Sequence, residues 1–233
     1  MKGMVRWDKV KVVILDVDGT LYLQSKLRRK VFLGLLKYYA LRPWKIDDLK
    51  VLVYFRKERE RNAGYAGSGL ELAQYIWCAE RVNYPVSMIK PVIERWIFDF
   101  PNQFLAECVF PGIHDFFAAL RENDIRIAIY SDYKAEEKLK AMGLQVDMAV
   151  ASTDAEVDRL KPDPCGLLHI ADKMNVSRDE CLFIGDRMEL DGECAIRAGM
   201  PYLIIQKRHL KTFDFFKNLT TQLSDLKTNN IKL

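Results

Sequence analysis

The chain has 233 residues, of which 49% are hydrophobic and 29% charged, and its net charge is +4. That composition excludes a disordered tail and a fibrous repeat, and so small a positive excess does not mark a nucleic-acid binder. The length suits one α/β domain with a large insertion, or two small domains.

The first apolar run, Val12–Leu15, ends at Asp16 and reads as a buried strand. A different texture follows from Leu21 to Val109. Helical patterns run through Leu27–Tyr39, Ile46–Arg61, Leu70–Val82 and Val86–Phe98, separated by Pro43, by Gly64, Gly67 and Gly69, and by Pro85. The turn Phe110-Pro111-Gly112 marks a return to alternating strands and helices. Strands are predicted at Ile125–Tyr130, Val146–Ala151, Cys181–Ile184 and Tyr202–Ile205. Helix-period segments lie between them, one of them carrying Leu139 and Met142 and stopped by Gly143. After Ile205 the chain is polar and Lys-rich, with a short amphipathic turn expected around Phe213–Leu226 and a frayed end. The expected fold class is α/β: a Rossmann-like parallel sheet core, 1–20 and 110–233, with an inserted all-helical cap, 21–109.

The five cysteines, Cys78, Cys108, Cys165, Cys181 and Cys194, include no CxxC pair. They imply neither a disulfide framework nor a zinc site and fit a reducing cytoplasm. Met1–Lys11 is mixed and charged, unlike a secretory signal, and the run Val31–Leu41 is too short for a bilayer and is broken by Lys37. A cytoplasmic protein without a membrane or nucleic-acid partner is expected.

Ligands of open α/β sheets bind beyond the carboxyl ends of the strands, so polar residues there are the candidates. Asp16-Val17-Asp18-Gly19-Thr20 places two carboxylates at i and i+2 after the first strand. Their mutual repulsion calls for a cation or a shared proton, hence a metal site or a nucleophile and acid pair. Ser131-Asp132 follows the second strand; the hydroxyl could bind a phosphate oxygen or cap the next helix. In Lys161-Pro162-Asp163-Pro164 the prolines fix a loop that could deliver Lys161 to the carboxylates, or leave it solvated. Gly185-Asp186 ends the fourth strand and Asp191 comes five residues later. Such oxygen ligands suit Mg²⁺, although acids at a helix start also suit its dipole.

Taken in order, DVDGT, Ser131, KPDP and GDxxxxD identify a resemblance to the haloacid dehalogenase-like hydrolase superfamily. Within it the chain resembles the phosphatase branch with an α-helical (C1-type) cap, in the phosphoglycolate phosphatase-like subgroup. The resemblance covers about Lys11 to Leu226. It implies that Asp16 is the nucleophile and Asp18 the general acid and base. It also implies that Ser131 and Lys161 hold the phosphoryl group. Gly19, Thr20 and Asp132 join them in substrate binding. Asp16, the main-chain carbonyl of Asp18 and Asp186 would hold Mg²⁺, with Asp191 positioning the metal's waters or Lys161. Asp158 departs from the pattern: many relatives carry Gly there, and it would bring an extra acid near the site, in a left-handed conformation that Asp tolerates.

The four acids Asp16, Asp18, Asp186 and Asp191 against Lys161 leave a formal −3, which a phosphate dianion could not approach without a divalent cation. The insertion 21–109 holds 15 Lys/Arg and 9 Asp/Glu, a net +6, leaving −2 for the remainder. Its basic residues cluster at Lys26, Arg28, Arg29 and Lys30 and at Arg56, Lys57, Arg59 and Arg61. These are either a solvated helix face or a basic surface that draws in the substrate, and Lys26–Lys30, soon after Thr20, is the stretch expected to meet it. The resulting expectation is a Mg²⁺-dependent phosphatase of a small phosphorylated metabolite, monomeric or homodimeric. The alternatives are a phosphomutase and a non-catalytic phosphate-binding protein.

Overall fold

The computed structural model describes residues 5–206 and 213–230, with the side chains of 226–230 left aside. Five strands form one parallel sheet: β1 (Val12–Leu15), β2 (Arg126–Ser131), β3 (Met148–Ala151), β4 (Cys181–Gly185) and β5 (Tyr202–Ile204), in the order β3-β2-β1-β4-β5. β1 is central. Leu15 lies opposite Ile129 on one side and Ile184 on the other. The carboxyl ends of β1, β2 and β4 therefore finish side by side, and so do the polar residues that follow them.

Alternation along the strands sends side chains to two faces, and both are buried. Val13, Leu15, Ile127, Ile129 and Ile184 pack under α5 (Ile113–Glu122) and α6 (Glu136–Met142). Val12, Ile14, Tyr130 and Phe183 pack under α7 (Cys165–Lys173) and α8 (Glu193–Ala198). The C-terminal segment is not a short turn. It forms a sixteen-residue helix, Phe215–Asn230, which becomes α9 here, because Phe216, Leu219 and Leu223 recur at helical spacing and bury against the first face. Phe216 lies 5.6 Å from the Phe116 ring of α5. Each such side chain contributes about 1.5–3 kcal/mol on burial. The expected frayed end at 231–233 falls outside the described residues.

Between β1 and β2 the chain is helical: α1 (Gln24–Ala40), α2 (Asp48–Arg61), α3 (Leu70–Val82) and α4 (Val86–Ile93). Pro91 sits inside α4, and after it the helix widens into a π-type segment, Glu94–Asp99, as expected where a proline withholds its N–H. These helices carry two aromatic-rich cores of their own, one around Phe55, Tyr75 and Ile93 and one around Tyr39, Leu52 and Trp96. Among the described residues no helix is long and apolar enough to cross a membrane.

Candidate active site

Asp16 leaves the carboxyl end of β1 with its N–H still donated to the Ile184 carbonyl (2.9 Å). The turn beyond it, closed by Thr20 N–H and Leu21 N–H on the Val17 carbonyl, needs Gly19 at φ +96°. That turn carries the buried Thr20 hydroxyl back to Asp16, where it donates to Oδ2 (3.1 Å). The other carboxylate oxygen, Oδ1, accepts from Lys161 Nζ at 2.8 Å.

Lys161 is 2% exposed. Its ammonium bridges Asp16 and Asp191, 2.9 Å from Asp191 Oδ1, and lies 4.9 Å from the centre of the Tyr130 ring. Burial alone would depress its pKa, but the Asp16 and Asp191 charges outweigh that and hold it well above the ordinary lysine value. Asp191 is fixed in turn: its Oδ2 accepts the backbone N–H groups of Asp186 and Arg187, at 3.1 Å each. Only a glycine allows this approach, since a Cβ on Gly185 would sit 2.4 Å from the Cβ of Asp191.

Asp16, Asp186 and Asp191 each offer a carboxylate oxygen within 4.8 Å of the others. Burial pushes the Asp16 carboxyl up; Lys161 opposes this, while Asp191 and Asp186 add to it, and the outcome is about 8. Three convergent hard oxygen donors with this repulsion fit a divalent cation such as Mg²⁺.

Asp18 points into the same cavity. Its Oδ1 accepts from Lys138 Nζ (2.6 Å) and from the Tyr22 hydroxyl. Burial raises its pKa, yet the Lys138 charge and the two hydrogen bonds prevail and leave it below the usual carboxylate value. Ser131 ends β2 and is buried, its Oγ accepting from Tyr133 N–H (3.4 Å); Asp132 and Tyr133, not Ser131, line the cavity. The Asp132 carboxylate accepts from the Ser152 hydroxyl (3.4 Å).

Sequence reasoning missed three residues here, Tyr22, Lys138 and Tyr133. Tyr22 lies four positions after Asp18 and was legible by spacing. Lys138 and Tyr133 gave no signal, because on a helix or loop each resembles an ordinary surface residue, whereas Arg59 belongs to the basic cluster singled out above. Arg59 is buried, donates to the Asp132 carbonyl (2.8 Å) and stacks 4.1 Å from the Tyr133 ring. The basic stretch Lys26–Lys30, expected to meet the substrate, divides. Lys26 donates to the Glu107 carbonyl and Lys30 pairs with the Glu107 carboxylate at 2.7 Å; of that stretch, Arg28 lines the cavity, together with Arg56 and Arg59 of α2. Asp158 does take the left-handed conformation (φ +48°), but its carboxylate is spent on the start of α3 rather than adding an acid to the site.

Residues 10–199 match the sequence profile of haloacid dehalogenase-like hydrolases. The chain belongs to that family. A relative in Bacillus subtilis (strain 168), "Putative phosphatase YhcW", is 32% identical over 120 residues, which make up 50% of this chain and 54% of the relative. The match thus spans about half the length of that relative. Among solved structures, a HAD phosphatase from Thermococcus onnurineus superposes with a TM-score of 0.59 at 21% identity, covering 85% of this chain and 87% of its own. A 2-haloacid dehalogenase from Pseudomonas syringae pv. Tomato DC3000 gives 0.60 at 17% identity, covering 84% and 86%. These two carry different activities on one architecture, so the likeness establishes the fold.

Proposed function

We propose that this member of the family is a Mg²⁺-dependent phosphatase that hydrolyses a phosphomonoester through an aspartyl-phosphate on Asp16. The observation that carries the reading is the setting of Asp16: buried, one oxygen held by Lys161 and the other by Thr20, two residues before a second carboxylate that faces the same cavity. Asp16, Asp186 and the Asp18 main-chain carbonyl would hold the cation, with Asp191 keeping Lys161 and the 186–187 backbone in place. Bound Mg²⁺ would neutralise charge on the phosphate and favour ionised Asp16.

In the first step an Asp16 oxygen attacks phosphorus, the bond to the ester oxygen breaks, and Asp18 gives its proton to the departing alcohol. In the second, Asp18 takes a proton from water while the water oxygen attacks phosphorus, releasing phosphate and restoring Asp16. Lys138 and Tyr22 occupy one Asp18 oxygen and stabilise its ionised form, which suits the base role in this second step. Lys161 offsets the charges of Asp16 and the phosphate. Of the residues expected to meet the phosphoryl oxygens, Asp132 lines the cavity and would reach them through its backbone N–H, while Gly19, Thr20 and Ser131 stand behind the cavity wall. An alkoxide leaving group needs a proton, whereas a halide needs none, so a second carboxylate beside Asp16 supports ester hydrolysis over dehalogenation.

The test is phosphate release from p-nitrophenyl phosphate with Mg²⁺. Asp16→Asn is expected to abolish turnover and retain the wild-type circular dichroism spectrum; full activity in that variant would remove Asp16 as nucleophile. Isomerisation of β-glucose 1-phosphate without free phosphate would make the protein a mutase instead.

A further inference from the structure

The cavity above Asp16 is larger than a small phosphorylated metabolite requires. Its volume is about 960 Å³, near the upper end for small-molecule sites and on the order of thirty water volumes. Its wall changes character with distance from the sheet. At the floor are Asp16, Asp18, Lys161 and Asp191. The side walls are α1 and α2. The chain enters α1 from the Asp16 turn, so Gln24 and Arg28 lie low and Val31 and Leu35 lie high. The C-terminal end of α2 is tied to the sheet end: Arg59 bonds the Asp132 carbonyl, and Gly64 N–H, just beyond the helix, bonds the Lys161 carbonyl at 3.0 Å. Arg56 and Arg59 are therefore low, and Leu49 and Leu52 are high. Along both helices the lining runs from charged to apolar, capped by Trp96.

The apolar section does not stop there. A second cavity of about 390 Å³ lies beside it: Phe32, Leu35 and Leu49 line both, and Leu36, Tyr39 and Ile46 line the second. Gln24 and Tyr39 stand fifteen positions apart on α1, a path of about 22 Å at the helical rise. The second cavity has no charged residue in its wall, and its rim residues Phe32, Leu36 and Ile46 are exposed. A sugar or a short acid phosphate would leave this length wet and its apolar surface unused.

We propose that the substrate is an amphiphile: a phosphomonoester whose alcohol carries a long apolar chain. The phosphate sits at Asp16 and Lys161 beneath Arg28 and Arg56, and the chain lies between α1 and α2. This rests on the phosphatase reading above and names its substrate class.

The experiment is a series of n-alkyl phosphates, methyl to decyl, each kept below its micelle-forming concentration, with p-nitrophenyl phosphate as reference and Mg²⁺ present. kcat/KM is expected to rise about fourfold per added methylene over the buried part of the chain. A flat series beside turnover of p-nitrophenyl phosphate would overturn the amphiphile and leave the phosphatase standing. Calorimetric titration with the matching alkyl phosphonates, which cannot be hydrolysed at an ester bond, separates the two ideas. Affinity that climbs with chain length supports the apolar tract even if no phosphate ester is turned over, and affinity independent of length counts against it. Phe32→Ser, at an exposed position, and Leu35→Gln are expected to flatten the chain-length dependence; an unchanged slope in both would overturn the path assigned to the chain. A further arm presents phosphatidate in phosphatidylcholine vesicles. Turnover there marks a membrane lipid as the source, and turnover of the monomeric alkyl phosphates alone marks a free amphiphile.

Discussion

The carboxylate of Asp158 caps the start of α3, accepting the backbone N–H of Leu70 at 2.7 Å and that of Gly69 at the same distance. The contact joins the loop after β3 to the helices inserted after β1. A neighbouring set of bonds reinforces it: Leu160 N–H to the Tyr65 carbonyl (3.1 Å) and Arg159 to the Gly67 carbonyl (2.7 Å). The same loop carries Lys161, so the inserted helices and the site lysine are held by one strap.

Two substitutions separate the cap from the backbone conformation. Asp158→Gly removes the carboxylate but relaxes the left-handed φ, so a loss of about 1 kcal/mol is expected. Asp158→Ala removes the carboxylate and keeps the strain, adding about 1–2 kcal/mol. Urea unfolding should rank wild type above Asp158→Gly above Asp158→Ala. An alanine variant as stable as the glycine variant would contradict this account.

Among the described residues, Lys161 is the cation that bridges the buried carboxylates of Asp16 and Asp191. Lys161→Met leaves Asp16 and Asp191 facing each other without it, and a stability loss of about 3–5 kcal/mol is expected together with loss of turnover. Asp191→Asn on that background removes one of the stranded charges and should return part of the stability. If the double variant is no more stable than the single one, charge is not the cause.

Mg²⁺ should stabilise the folded chain even without substrate, because binding only to the native state adds free energy by mass action, about 2.7 kcal/mol at a hundred times Kd. The thermal midpoint of the wild type is expected to rise with Mg²⁺ and to fall back with a chelator, and Asp186→Asn should lose most of the rise. A midpoint indifferent to Mg²⁺ in the wild type would argue against the cation site at Asp16, Asp186 and the Asp18 carbonyl.

Glu180 gives a pH signature away from the site. Its hydrogen bond from Lys11 (2.5 Å) and the Ser177 N–H (2.9 Å) lower its carboxyl to about 2. The folded value lies below the unfolded one, so the unfolded chain binds more protons between them. Its contribution is complete above the unfolded value, about 4.3, and disappears as pH falls toward 2. The stability gap between wild type and Glu180→Gln should be constant near neutrality and close over that acid range. A gap that widens on acidification would reverse the assignment.

Much of this molecule was legible from local pattern. The apolar runs that end at Asp16, Ser131 and Gly185-Asp186 are β1, β2 and β4, and the breaks at Pro43, Gly69 and Pro85 separate the inserted helices. What went astray did so through side-chain choice. Lys26 and Lys30 follow the Asp16 turn closely in sequence, yet Glu107 lies nearer and takes both. Lys138 looks like a solvated helix lysine, yet α6 turns it onto Asp18, 120 positions away. The segment around Phe213–Leu226 looked too polar for a long helix because its apolar stripe is narrow, and packing on α5 is what makes it one.

By itself, then, the sequence determined the order of strands and helices along the chain and which polar residues stand at each strand end, because those depend on short-range periodicity and on where an apolar run meets a carboxylate. The tertiary structure alone decided which charge each buried group receives and what shape the space above Asp16 takes. Ion pairs such as Lys161 with Asp16 join residues 145 positions apart, and the apolar path exists only where the faces of α1 and α2 are set side by side. Neither is encoded in any local stretch; both follow from how the helices close over the sheet.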